Sequence, residues 1–122
     1  MSKEEIMFGL LKKVVRDSGV DLDWRDWDVT GLYWNSPGMC PFITLAESLK
    51  ADVEKACEVL SHEVGHHYMH RGKIDMEKYL PDSPKRDEHY AELIEAEADA
   101  FGRGLIRGLI VARNMFLELE LS

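Results

Sequence analysis

Two histidines and a glutamate in one short segment are the side chains of this sequence best suited to chemistry. His62 and His66 are four residues apart, and Glu63 directly follows the first of them. On an α-helix, side chains at positions i and i+4 lie one above the other on the same face. Both imidazoles can therefore reach one metal ion. Glu63, about 100° further round the helix, can touch a water molecule beside that metal.

This spacing is the HExxH arrangement of zinc-dependent hydrolases, but short patterns also arise by chance on solvated helices. The surroundings favour a metal site, because the segment from Asp52 to about His70 has helical apolar spacing. Gly65 inside this helix costs about 1 kcal/mol relative to alanine. It therefore predicts a close approach to a neighbouring helix. The apolar positions are Val53, Ala56, Val59, Leu60 and Val64.

A second, acidic segment offers a third ligand, which a catalytic zinc needs while keeping one position open for water. The segment from Asp87 to about Leu117 has the apolar spacing of a long helix. Glu95 and Asp99 are four residues apart and share a face of that helix. Glu95 could bind the metal, and Asp99 could accept a hydrogen bond from the far ring nitrogen of a ligating histidine. A solvated acidic face would show the same pattern, so both interpretations of Glu95 stay open.

The segment His-Glu-Val-Gly-His, followed by Glu-x-Glu-Ala-Asp-x-Phe, resembles the gluzincin metallopeptidases and in particular the small cytosolic peptidases of the ImmA/IrrE type. The resemblance covers roughly residues 29 to 106. It implies one Zn2+ per chain, held by His62, His66 and Glu95. It also implies that Glu63 is the general base and that Asp99 is the carboxylate behind a ligand.

Other residues compete for the position of the third ligand. Glu97 lies in the same acidic cluster, but only Glu95 is four residues before Asp99. The metzincin pattern would need glycine at position 69 and histidine at position 72, where this chain has Met69 and Gly72. His70 is therefore not the expected ligand, although spacing alone leaves it open.

The resemblance implies a zinc metalloendopeptidase that cleaves a protein partner such as a helix-turn-helix transcriptional repressor. The alternative, from a different class, is a non-catalytic, metal-containing regulatory or antitoxin-like binding module. Glu63 favours the peptidase, because a structural zinc site is usually closed by four protein ligands and needs no base. Candidates by type for stabilising the oxyanion are Tyr68, His70, Tyr79, His89 and Tyr90.

The pattern predicts an α+β single domain over residues 1–122, and the resemblance implies that it is zincin-like. Ser2 and Glu5 form a capping-box pattern at the start of a helix that stops at Gly19. Residues 29–34 and 41–46 are predicted strands of a small antiparallel sheet or hairpin. This hairpin is expected to pack on the metal-binding helix and on the second, Glu-bearing helix. The structure of residues 20–28 is ambiguous, and residues 71–87 are a predicted polar connection.

Composition limits the partners that this chain is expected to have. The net charge of −8 argues against unspecific binding to nucleic acid, which needs a basic surface. No signal peptide or membrane-spanning run is apparent, and two cysteines do not form a disulfide framework, so we expect a cytoplasmic protein. The C-terminal segment is rich in apolar residues, which either cover the core or form an exposed patch through which the helix self-associates. These residues are Leu105, Ile106, Leu109, Ile110, Met115, Phe116, Leu117, Leu119 and Leu121.

Overall fold

The computed structural model describes residues 1–121, without the side chains of residue 116 and residues 118–121. The chain is α+β, with four helices, three strands and one 3₁₀ turn in this part of the chain. In order they are α1 (Lys3–Asp17), β1 (Asp21–Arg25), β2 (Gly31–Trp34), β3 (Phe42–Ala46), the 3₁₀ turn (Glu47–Ala51), α2 (Val53–His70), α3 (Met76–Tyr79) and α4 (Glu88–Leu121).

The predicted helix boundaries are largely confirmed, because local capping decides them. Ser2 and Glu5 form the capping box of α1, and Gly19 follows the end of that helix with a φ of 73°. The side chain of Asp52 accepts a hydrogen bond of 3.1 Å from the backbone N–H of Lys55 at the start of α2. In the predicted polar connection the chain also forms the short helix α3.

The sheet has three strands in the order β1-β3-β2. Strands β2 and β3 pair antiparallel, as predicted, with Leu32 opposite Thr44. Strand β1 pairs parallel to β3, with Leu22 opposite Ile43, so the prediction of an antiparallel sheet was wrong and the sheet is mixed.

The sequence left β1 ambiguous because aspartate has a low strand propensity. Its half-buried Leu22 and Trp24 alternate with the exposed Asp21, Asp23 and Arg25. Strand β1 therefore forms because it pairs with the buried strand β3, and not because its own residues favour a strand.

Helices α2 and α4 approach each other closely enough for their backbones to touch. A Cβ on Gly65 would lie 2.5 Å from the carbonyl oxygen of Ala98, and one on Gly102 would lie 2.9 Å from that of Ser61. The close approach predicted from Gly65 is therefore confirmed. Gly108, further along α4, has no described atom within 4 Å of the position of a Cβ.

The C-terminal part of α4 divides between core and surface. Leu105, Ile106 and Leu109 pack against the core, and the exposed apolar residues are Ile110, Val111, Met115 and Leu117. The side chains of Phe116, Leu119 and Leu121 lie outside the described part. Self-association through this segment stays a prediction.

Both cysteines are free thiols in the described structure. Cys57 packs in the core, and burial raises the pKa of its thiol to about 11. Cys40 is exposed. Within residues 1–121, no helix combines the length and the apolar character that a membrane crossing requires.

Replacing Gly65 by alanine should destabilise the fold. The new methyl group would overlap the backbone of Ala98, and overpacking of this kind costs about 1–3 kcal/mol, against a gain of about 1 kcal/mol in helix propensity. Gly108→Ala is the matched control: it has open space and should stabilise α4 by about 0.5–1 kcal/mol. Denaturant unfolding curves measure both effects. A Gly65→Ala protein as stable as wild type would contradict the close crossing.

Candidate metal centre

The two histidines of the motif converge on one point beside α2. His62 and His66 lie one helical turn apart, and their Nε2 atoms are 3.1 Å from each other. His66 is buried and His62 is partly buried. Two imidazole nitrogens this close together can both bind the same third group.

Helix α4 brings Glu95 to the same point. Its Oε2 atom is 2.7 Å from the Nε2 of His62, and its Oε1 atom is 3.4 Å from the Nε2 of His66. Glu97, the competing candidate, lies instead beside His70, with Oε1 3.6 Å from the Nε2 of that histidine. The structure therefore brings Glu95 to the two histidines and places Glu97 elsewhere.

The donor atoms of these three residues suit a zinc ion. Ligands of a tetrahedral zinc lie about 2.0–2.1 Å from the metal, which separates them from each other by about 3.3 Å. The two histidine nitrogens are 3.1 Å apart, and the carboxylate of Glu95 lies 2.7 Å from one of them through Oε2 and 3.4 Å from the other through Oε1. Two imidazoles and one carboxylate also form a known ligand set of catalytic zinc.

Asp99 supports the first of these histidines from behind. The Nδ1–H of His62 donates a hydrogen bond of 2.6 Å to Oδ1 of Asp99. With a metal in place of the contact with Glu95, a proton kept on Nδ1 would leave the lone pair of Nε2 free to bind that metal. The structure thus places Asp99 where the spacing of the sequence predicted it.

Glu63 is buried at the edge of the same point, with 6% of its surface exposed. One of its carboxylate oxygens lies within 4.8 Å of a ring nitrogen of His62 and of one of His66. Glu95 is closer to both histidines, so Glu95 is the better third ligand and Glu63 remains available as a base. Burial raises the pKa of Glu63 to about 6, against the opposing effects of His66 and His62.

Strand β2 lies directly over Glu63. A Cβ on Gly31 would be 2.5 Å from Cγ1 of Val59 and 3.3 Å from Cγ of Glu63, so only glycine fits this close approach. The backbone of Tyr33 lies near enough to Glu63 to oppose, in small part, the rise in its pKa. The hydroxyl of Tyr33 lies 2.8 Å from Nδ1 of His67, which ties β2 to α2. The sequence did not predict this contact, although the half-buried Tyr33 alternates with exposed neighbours as a strand residue should.

The charges of the site stabilise each other. The hydrogen bond with Glu95 raises the pKa of His62 to about 9, although burial opposes this, and the hydrogen bond with Asp99 adds to the effect. Burial works against the ionised form of Glu95, yet hydrogen bonds from His62, His66 and Tyr79 hold its pKa well below the usual range. Glu95 is therefore an anion that faces the two imidazoles, as a ligand for a cation should be.

Among the five residues proposed by type for the oxyanion, Tyr79 is the one whose hydroxyl contacts Glu95. It comes from α3, and burial together with that contact raises its pKa. Tyr68 instead stacks on Phe101, and Tyr90 accepts a hydrogen bond of 2.8 Å from the backbone N–H of Asp75. His89 is exposed on α4. His70 lies beside His66, and the Nδ1 atoms of the two rings face each other.

A comparison of the chain with protein families, with curated proteins and with solved structures found no match. Function is therefore inferred from the chemistry of the site and not from the fold.

We expect one zinc ion per chain at neutral pH, lost on acidification because histidines must be neutral to bind it. Variants His62→Ala and Glu95→Ala each remove a donor atom and should lose most of the bound zinc. Glu97→Ala is the matched control from the same helix and should still bind one equivalent at saturating zinc, because Glu97 lies beside His70. Elemental analysis of the desalted proteins measures this. Equal zinc in the wild-type and Glu95→Ala proteins would refute the ligand assignment.

Removing the carboxylate of Asp99 should weaken zinc binding without abolishing it. Loss of a partner behind a ligating histidine typically costs 10–100-fold in metal affinity, and we expect an effect of about this size for Asp99→Ala. Competition against a chelator gives the Kd, with the exposed Glu92→Ala on the same helix as control. An unchanged Kd would show that Asp99 belongs to a solvated acidic face.

Proposed function

We propose that this protein is a zinc-dependent metalloendopeptidase of the gluzincin class, similar to the ImmA/IrrE peptidases, that cleaves a protein partner. The observation that carries the proposal is the convergence of His62, His66 and Glu95 within 2.7–3.4 Å, with the buried Glu63 beside them. The convergence supplies a zinc site, and Glu63 supplies a base that such a site needs only for catalysis.

Zinc bound by these three residues would polarise the scissile carbonyl and lower the pKa of water towards about 7. Glu63 accepts a proton from the attacking water, whose oxygen forms a bond to the carbonyl carbon. The same carboxyl then gives the proton to the amide nitrogen as the carbon–nitrogen bond breaks. A pKa of about 6 suits both tasks, since Glu63 is mainly ionised at neutral pH but can still carry a proton.

The sheet edge next to Glu63 favours a peptide as substrate. Strand β2 pairs with β3 on one side, and no other described strand pairs with its second edge. An extended peptide can hydrogen-bond to such an edge by β-augmentation. Since even a Cβ on Gly31 would lie only 3.3 Å from Cγ of Glu63, a peptide on this edge would have its backbone close to the base. Trp34 is 40% exposed on the same strand and is available to contact substrate side chains.

Tyr79 is the best placed donor for the oxyanion. Its hydroxyl hydrogen-bonds Glu95, so the phenol reaches the donor atoms of the site. Its raised pKa keeps it protonated, and a neutral phenol can donate a hydrogen bond to the developing negative charge. The flanking segment between α2 and α4 would therefore contribute to catalysis.

The partner that we propose is a transcriptional repressor of the helix-turn-helix type, which the protein would meet in the cytoplasm. The alternative function is a metal-containing binding module without activity. Burying a carboxylate costs free energy, and a perturbed acid in a cleft is typical of catalytic sites. The burial of Glu63 is therefore the observation that favours the peptidase over the module.

Changing Glu63 to glutamine should abolish cleavage and leave zinc binding intact, because the amide keeps the shape of the side chain but cannot accept the proton. General acid–base catalysis contributes about 10²–10⁴-fold, so a loss of at least about 100-fold is expected. The assay incubates zinc-loaded protein with a proteome-derived peptide library and with purified repressors, and mass spectrometry reports new termini.

Glu58→Gln, exposed on the same helix, is the matched control and should cleave like wild type. Equal cleavage by the Glu63→Gln and wild-type proteins would exclude Glu63 as the base. Zinc binding without any cleavage by wild type would favour the binding module.

A further inference from the structure

His70 is a buried histidine that the proposed mechanism does not use. It lies at the C-terminal end of α2, one turn beyond His66, with 5% of its surface exposed. Its Nδ1 is 3.1 Å from the Nδ1 of His66, the ring nitrogen of that ligand that does not face Glu95. Its Nε2 is buried and has no hydrogen-bond partner in the described structure.

The group that faces this buried nitrogen is the carboxylate of Glu97, at 3.6 Å. An ionised carboxylate only accepts hydrogen bonds. The lone pair of a neutral imidazole nitrogen would be repelled by it, whereas an N–H would be attracted. Glu97 therefore favours the tautomer of His70 that carries its proton on Nε2.

That tautomer decides the state of His66. With its proton on Nε2, His70 has a bare lone pair on Nδ1 and must accept the hydrogen bond that joins it to His66. His66 then donates through Nδ1, which leaves its Nε2 free to bind a metal that takes the place of the contact with Glu95. The bare Nε2 is the atom that faces His62 and Glu95, and it is the form that binds a metal.

We propose that His70 is a positioning residue which, oriented by Glu97, fixes the tautomer and ring orientation of His66 so that its Nε2 can bind the metal. The two ligating histidines would then have separate supports: Asp99 acts directly on His62, and Glu97 acts on His66 through His70. The inference rests on the proposed metal site.

The first test uses zinc-loaded protein without substrate, so it is independent of peptidase activity. Long-range 1H–15N NMR of histidine-labelled protein, at a pH above the ordinary histidine pKa of about 6.5, distinguishes the two tautomers of His70. We expect His70 to carry its proton on Nε2, because its Nδ1 accepts the hydrogen bond from His66. His70 protonated on Nδ1 could not accept that hydrogen bond and would overturn the proposal.

The second test compares two replacements of His70 by the Kd for zinc, measured in competition with a chelator. An asparagine side chain at this position would keep an amide oxygen near the place of Nδ1, so His70→Asn should retain much of the affinity, while His70→Leu should lose about 10–100-fold. A role in packing alone predicts the reverse order, because leucine fills a buried volume better than asparagine. That reverse order, or equal affinities for the two variants, would overturn the proposal.

The exposed His89→Leu is the control and should bind zinc like wild type. A wild-type protein that binds zinc without cleaving any peptide would refute the proposed activity alone, and the Kd values would still decide the role of His70. A wild-type protein that binds no zinc would refute the metal site, and with it the proposed role of His70 and Glu97.

Discussion

The contact between the backbones of α2 and α4 is the constraint on which the site depends. Gly65 meets Ala98, and Gly102 meets Ser61, at distances that leave no room for a side chain. Helix α2, with its two histidines, and helix α4, with its acidic residues, are thereby fixed in both separation and register. Glu95 lies one turn before Ala98 on α4, so the same crossing carries its carboxylate to the two histidines. A wider crossing would leave those histidines without an anionic partner.

Burial at this crossing changes the pKa values of the side chains that it brings together. Several ionisable groups lie close together in a small volume, and each is matched by a partner of opposite charge or by a hydrogen bond. Asp99 and Glu95 favour the protonated form of His62, and the imidazoles in turn keep Glu95 ionised. Glu63 is more deeply buried and has weaker compensation, so its pKa rises to about 6. One environment therefore keeps Glu95 ionised and raises the pKa of Glu63, so that two glutamates acquire opposite acid–base properties.

The small sheet connects this centre to the surface. Its central strand β3 is buried, and β2 carries the free edge past Glu63. Gly31 permits the close approach, and Tyr33 anchors the strand to α2 through His67. Helix α3 contributes Tyr79, whose hydroxyl contacts Glu95. Strand β2 and helix α3, which are distant in sequence, thus reach the same group of residues at Glu63 and at Glu95.

The sequence by itself determined the features that follow from local geometry. Four-residue spacing places His62 above His66 and Glu95 near Asp99, and capping residues set the starts of α1 and α2. The tertiary structure alone decided which acidic side chain faces the histidines, because the rotation of α4 about its axis is set by its contacts with α2. The same holds for β1, which forms through pairing with β3. It also holds for His70, whose partner Glu97 comes from another helix. Periodicity reveals which residues share a face, but only packing between distant segments determines what that face meets.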